Sequence, residues 1–277
     1  MNAPSYLILG HVTRDIVDSS ARYGGTASYA ALTALNLGER VGLVTSAGDD
    51  FPFKEVLPGV SVARVPSRVT TVFRNLYSAG KRKQSIQAIA SKIHAHNVPR
   101  AWRNAPIVHL APIAQELDPR VARLFPHSLV GATVQGWLRT WNEEGRVRRA
   151  KWTGADHVLP FLNVLVVSED DVGADLSTVR AFARQVSVVA LTLGERGADV
   201  YFRGQVHRSP AFSARVVDPT GAGDAFAAAF FVKLKQNGDP REAARYANCV
   251  ASFVVEGIGL SSIPNREQVE RRLAGLA

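Results

Sequence analysis

The residues best placed to do chemistry stand close together in Val216-Val217-Asp218-Pro219-Thr220-Gly221-Ala222-Gly223-Asp224-Ala225-Phe226. Two β-branched residues end a strand, and a proline with two glycines makes a tight turn. An apolar run then starts a helix that continues to about Leu234. A helix apolar on all sides is buried, so its first-turn amides, from Ala222 to Asp224, have no partners within the helix. They lie at the positive end of its dipole, and Gly221 and Gly223 let an anion approach the backbone closely. A carboxylate in the mouth of an anion hole is out of place for simple phosphate binding. It suits a phosphoryl group in transit, with Asp224 taking the proton of an incoming hydroxyl. The plainer alternative is that Asp224 caps the helix and the glycines only turn the chain. A P-loop is excluded because Asp224-Ala225 follows Gly223 where Lys and Ser or Thr are needed. The dinucleotide fingerprint is excluded because Phe226 stands where it needs a third glycine.

Further polar residues fall where strands of an open α/β sheet would deliver them. Tyr6 to Leu9 reads as a strand ending on Gly10, with Asp15 just beyond it, so Asp15 either grips substrate hydroxyls or is a solvated turn carboxylate; Asp18 is a weaker candidate for the same role. Gly24 and Gly25 precede a small-residue helix that stops at Gly38, and paired glycines there let helix amides meet a ligand. Arg139 follows Gln135-Gly136-Trp137-Leu138, and reads either as a substrate or phosphate contact or as a surface ion pair. The strand Asn163 to Val167 delivers Ser168-Glu169-Asp170-Asp171, whose acids either orient Mg²⁺ through water or cap a helix. His94 and His96 have metal-like spacing but no third ligand near them in sequence, and Cys249 reads as an apolar filler.

The elements that must position these residues read as an α/β chain. Apolar strands are expected at 41–47, 107–113, 129–134 and 188–193, with a hairpin turning at Gly204-Gln205 and a second small-residue helix over 243–253. Between Val60 and about Lys92 the text becomes β-rich and turns at Ser78-Ala79-Gly80-Lys81, which predicts antiparallel strands of a separate small sheet. The 277 residues, 46% of them hydrophobic, suffice for one domain with a small appendage. A single cysteine rules out an internal disulfide, and no apolar run is long enough to span a bilayer, so a cytoplasmic enzyme is the expectation. The net charge of +9 comes from scattered basic residues, clustered only at 81–83 and 146–151 without interleaved aromatics. This argues against nucleic acid and for a field that attracts an anionic nucleotide.

Asp218-Pro219-Thr220-Gly221-Ala222-Gly223-Asp224 resembles the C-terminal signature of the PfkB, or ribokinase-like, carbohydrate kinases. The resemblance implies a three-layer α/β/α fold with a central, mostly parallel sheet: one kinase domain over 1–277 with a β-sheet lid formed by about 11–23 and 60–92. It also implies ATP as donor, Mg²⁺, a sugar or polyol acceptor (inositol-like among them), and a homodimer contact through the lid. In the family the last Asp of the signature is the base and the glycine turn forms the anion hole, which map to Asp224 and to Gly221, Ala222 and Gly223. The Asp after the first strand holds sugar hydroxyls, as Asp15 would. The Gly-Gly turn matches Gly24 and Gly25, but Tyr29 stands where a sugar-binding Asn is common, which implies a different polyhydroxylated acceptor. The family's Asn-x-x-Glu metal motif corresponds to Ser168 and Asp171, with Glu169 as a further acid. Thr192, Gly194 and Gly197 lie in a loop similar to the one beside the nucleotide phosphates. Asn248 falls in the helix that lines the adenine pocket, and Asp218 matches the Asp that, with nearby backbone, can hold a monovalent cation such as K⁺. A kinase for a nucleoside, vitamin precursor or sugar phosphate, and a non-catalytic sensor of sugar or nucleotide, are the alternatives.

Overall fold

The computed structural model describes residues 3–17, 20–78, 81–173 and 175–276. Asp18 and the turn residues Ala79 and Gly80 fall outside the described residues. Strand β1 (Tyr6–Leu9) leads into β2 (Thr13–Val17) and β3 (Ser20–Gly24), followed by helix α1 (Thr26–Asn36), β4 (Val41–Ala47), the short α2 (Phe53–Val56) and β5 (Ser61–Pro66). A long hairpin, β6 (Thr71–Ser78) and β7 (Lys81–Ala88), precedes β8 (Ile107–Leu110) and β9 (Leu129–Thr133). After a small hairpin, β10 (Arg139–Trp141) and β11 (Val147–Arg149), come β12 (Val164–Ser168), α3 (Glu169–Val172), α4 (Leu176–Ala183) and β13 (Val188–Thr192). The chain ends with β14 (Ala198–Phe202), β15 (Gln205–Ser209), α5 (Ala222–Asn237), α6 (Pro240–Val254) and α7 (Arg266–Leu273).

The main sheet runs β15-β14-β13-β12-β9-β8-β1-β4-β5. Every pairing from β5 across to β13 is parallel, and only β13–β14 and β14–β15 are antiparallel. Strands buried on both faces must be apolar at every position, which explains runs such as Tyr6-Leu7-Ile8-Leu9. Tyr6 and Ile8, Val164 and Val166, Val188 and Ala190 face one core; Leu7 and Leu9, Leu165 and Val167, Val189 and Leu191 face the other. The first core is roofed by α1, α5, α6 and α7, and the second by α4 with short 3₁₀ turns, including the one that buries Trp102. Helix α5 is the buried apolar rod its sequence predicts, from Ala225 to Val232.

A second sheet, ordered β3-β2-β6-β7, stands over one end of the first. It is mixed: β2–β3 and β6–β7 are antiparallel hairpins, but β2 and β6 meet in parallel. Residues 61–66 depart from the expected lid boundary, because β5 pairs in parallel with β4 as the edge of the main sheet. Their β-rich text fits either sheet, and the crossover through α2 decides between them. Among the described residues no helix is long and apolar enough to cross a membrane.

Candidate functional site

The signature turn is pinned from behind. Val217 and Asp218 donate their amides to the Val255 carbonyl at the end of α6 (2.7 and 3.2 Å), and Asp218 Oδ1 accepts from the Thr220 amide (2.9 Å). Gly221 is the N-cap of α5 at φ 82°, a left-handed conformation. A Cβ built there would lie 2.1 Å from the Tyr29 ring, so the turn and the ring occupy adjoining space that only glycine allows. The Ala222 amide turns back to the Pro219 carbonyl (3.3 Å), and intrahelical bonding begins with Ala225 donating to Gly221 (2.9 Å). The first-turn amides of Gly223 and Asp224 have no acceptor within the helix, and nothing lies within 4 Å of a Cβ built on Gly223, so this turn borders open space.

Asp224 is half-buried at this turn, and burial pushes its carboxyl up to about 6. A hydrogen bond from Thr26 and the positive charge of Arg139 oppose the rise, while Asp171 and Asp15 add to it. Asp224, Thr26, Arg139, Asp171 and Asp15 therefore share one electrostatic neighbourhood although they come from five elements. Thr26 is the first residue of α1 directly after Gly24-Gly25, and no motif singles it out.

Beside the turn lies a cavity of about 280 Å³ between the small sheet and the core. Its walls include Asp15, Arg22, Tyr29 and Asn75, with Asp218 and Gly259 opposite. Asp15 sits in β2 between Arg22 of β3 and Phe73 of β6. Asn75 is held by the Gln84 amide (2.9 Å). The Tyr29 hydroxyl is held well above its ordinary pKa by burial and by the charges of Asp224, Asp218 and Asp15, so the ring stays a neutral donor. Arg22 reaches from the small sheet to Asp218 (3.4 Å), bridging the cavity mouth. Arg22 and Asn75 carry no sequence signal, because only the strand pairing brings them here.

The remaining expected residues are distributed around this centre. Ser168 and Asp171 form a reciprocal capping box, with Ser168 Oγ donating to Asp171 Oδ2 (2.9 Å) and the Asp171 amide donating back (3.1 Å). Glu169 is paired with Arg196. Thr192 ends β13, Gly194 (φ 60°) borders open space, and Gly197 packs on the Ser209 carbonyl. Asn248 donates its amide to Ser209 O and Oγ (3.0 Å each) and to Pro210 O (3.2 Å), so it braces the chain after β15. His94 stacks on His96 and bonds Asp118, and among the described residues no cluster of three or more potential metal-binding side chains occurs. Cys249 is buried, as read from its neighbours.

Residues 150–267 match the model of the pfkB family carbohydrate kinases. Over that part of its length the chain resembles the PfkB-family carbohydrate kinases. Along almost its whole length it is similar to the fructokinase of Escherichia coli, at 25% identity over 95% of this chain and 97% of the relative. Among solved structures, one of a pyrophosphate-dependent kinase in the ribokinase family, complexed with a pyrophosphate analog and myo-inositol, superposes with a TM-score of 0.81 at 23% identity, covering 96% of this chain and 99% of that one. The ribokinase of Arabidopsis thaliana, complexed with ribose and ATP, gives a TM-score of 0.77 at 23% identity over 98% and 99%. These structures share the ribokinase-like fold, with its large, mostly parallel sheet and small second sheet.

Proposed function

We propose that this chain transfers the terminal phosphoryl group of ATP to a hydroxyl of a small, neutral, polyhydroxylated acceptor. The observation that carries this reading is the position of Asp224, a carboxylate raised to about 6 in a helix turn that borders open space, in the charge neighbourhood of cavity-lining Asp15. A base of that basicity is ionised near neutral pH yet still accepts a proton. The charged groups lining the cavity are Asp15, Asp218 and Arg22, a balance that disfavours a sugar phosphate and suits hydroxyls.

The acceptor enters under the small sheet and is gripped by Asp15, with Asn75 and the Tyr29 hydroxyl as further polar partners. Asp224 takes the proton of the reacting hydroxyl, whose oxygen forms a bond to the terminal phosphorus. The bond from that phosphorus to the bridging oxygen breaks, and its electron pair leaves with the diphosphate product. The Gly223 and Asp224 amides face the charge that develops on the phosphoryl oxygens. Asp171, with one carboxylate oxygen in the capping box and within electrostatic reach of Asp224, fits the sparse donor set that Mg²⁺ accepts through water. Mg²⁺ held there would shield the donor phosphates. The Thr192 to Gly197 loop would border those phosphates.

A second reading concerns the donor. Arg139 is buried near Asp224, its register partner is Arg149, and the Arg149 guanidinium lies over Gly173 at the end of α3. Cations gathered on the α3 side favour a donor that is phosphate throughout, and the likeness to a pyrophosphate-dependent kinase supports inorganic pyrophosphate as the alternative to ATP. The test is phosphorylation of a panel of sugars, linear polyols, inositols, nucleosides and sugar phosphates with Mg²⁺ and either donor, with D224N in parallel. Turnover of a neutral polyol that D224N lowers by about 10²–10⁴ supports the reading. Equal turnover in D224N would remove Asp224 as base, and preference for a sugar phosphate would remove the neutral acceptor.

A further inference from the structure

Between β9 and β12 the chain makes an excursion built on the small hairpin β10–β11. The hairpin β10–β11 pairs Arg139 with Arg149 and Trp141 with Val147, and its turn closes through Gly145 N–H to the Asn142 carbonyl (2.8 Å) and Arg146 N–H to Asn142 Oδ1 (2.8 Å). The tip of this hairpin is bonded to the lid. Ile86 of β7 donates its amide to the Gly145 carbonyl (2.8 Å), and Ser85 forms a β-bridge with Arg146. Gly145 has φ 76°, and a Cβ on it would stand 2.2 Å from the Ile86 carbonyl oxygen, so the close approach requires glycine. Trp141 and Val147 pack against a cluster of Phe73 and Ile86 from the lid with Ile113 and Ala114 from the core.

The base of the hairpin is held by the segment after β8. Gln115, a non-glycine residue at φ 57°, donates its side-chain amide to the Arg139 carbonyl. Its neighbour Glu116, 1% exposed, accepts from the amides of Ile113 (3.0 Å), Ala114 (2.7 Å) and His11 (3.0 Å). His11 lies where β1 crosses into the lid. Its ring donates from Nε2 to the Ser91 carbonyl (2.9 Å) and accepts at Nδ1 from the Thr71 hydroxyl (2.8 Å), so both lid connections meet there. Small sheet, hairpin and the His11, Gln115 and Glu116 contacts are thus joined by hydrogen bonds that reach from Ile86 to Arg139.

We propose that Arg139 is a catalytic residue, its guanidinium set against the phosphoryl group in transit beside Asp224, and that the lid sets its position through the β10–β11 hairpin and Gln115. Arg139, 8% exposed and within electrostatic reach of a carboxylate that must stay ionised, answers the two demands of the step: it favours the charged base and then the charge spreading over the phosphoryl oxygens. A tie between hairpin and lid makes this charge arrive with acceptor closure, when water is excluded. The inference rests on the kinase reading above.

The experiment measures kcat and KM for both substrates in wild type, R139A, R139K, R148A and G145A, and in the R139A/G145A double variant. R139A is expected to lose about 10²–10³ in kcat with acceptor KM nearly unchanged. Guanidinium chloride at matched ionic strength should restore part of the lost kcat, and R139K should fall between R139A and wild type. R148A, an exposed arginine on the same hairpin, should match wild type. G145A should lower kcat about tenfold alone and add little to R139A, since both losses act through one charge. An R139A enzyme as fast as wild type, or one slowed without any guanidinium recovery, would overturn the catalytic role. Additive losses in the double variant would overturn control by the lid. A wild type inert on every acceptor would overturn the kinase reading and this inference with it, whereas an active wild type with an equally active R139A overturns this inference alone.

Discussion

Asp224 concentrates a conflict: the proposed role as base requires it ionised to accept a proton, and its surroundings resist the charge. With the carboxyl near 6, acceptor turnover should rise with pH through about 6 and level above it, which a kcat/KM profile would show. Thr26 donates to the charged form, so T26V should move that limb to higher pH while T26S leaves it in place; an unmoved limb in T26V would mean the bond does not set the base. The same raised carboxyl has an opposite effect on stability. Its contribution to folding is complete below the usual carboxylate range near 4 and is lost as pH rises through about 6. Asp224→Asn should therefore stabilise the protein at pH 8 by up to about 3 kcal/mol, an advantage that fades toward pH 4. Thermal melts of the two proteins at both pH values check this. The placement of Asp224 in the first turn of a buried helix was legible in the sequence because a helix start, two glycines and a carboxylate are neighbours along the chain. Thr26 and Asn75 were not, since their roles exist only once α1 and β6 are carried to the turn.

Elements with strong periodicity were readable and those with short or ambiguous text were not. The runs that became β1, β8, β12 and β13 are apolar at every position because they are covered on both faces, and α5 was recognisable as a buried helix for the same reason. The hairpin β10–β11 has three residues per strand and many arginines, so its only signal was Trp141 and Val147 placed on either side of a turn ending at Gly145. β5 was misplaced because an edge strand of the main sheet and a lid strand are both half-exposed. The start of α5 carries the prediction at this scale. In G221A the added methyl must enter the Tyr29 ring while the backbone stays at φ 82°, so the first turn of α5 is expected to move away from Tyr29. A cost of about 1–3 kcal/mol in stability and a loss of about 100-fold or more in kcat follow. Tyr29→Ala alone costs core packing, since Tyr29 is 3% exposed, but it removes the obstacle, so adding G221A to Tyr29→Ala should cost less stability than adding G221A to wild type. Equal costs in the two backgrounds would mean that the left-handed turn, and not the ring, sets the loss.

Across the whole molecule, the small sheet and the core close over the cavity, and Arg22 to Asp218 is the ion pair that crosses its mouth. The resemblance assigned Asp218 to a monovalent cation; in the structure a guanidinium from the lid faces it at 3.4 Å. Arg22 is 42% exposed on its side chain, which limits the pair to about 1 kcal/mol and leaves it open to screening. Closure over a neutral acceptor involves no charge on the acceptor itself, so at saturating donor the acceptor KM should rise with NaCl as this latch weakens. Arg22→Ala should raise acceptor KM about fivefold at low salt, corresponding to a loss of that size, with kcat within about twofold of wild type. It should also abolish the salt dependence. If KM in R22A still climbs with salt as it does in wild type, the screened interaction lies elsewhere. If K⁺ but not Na⁺ at equal ionic strength restores low KM in R22A and leaves wild type unchanged, the arginine is acting where the resemblance expects the ion, and the lid itself supplies the positive charge that Asp218 requires.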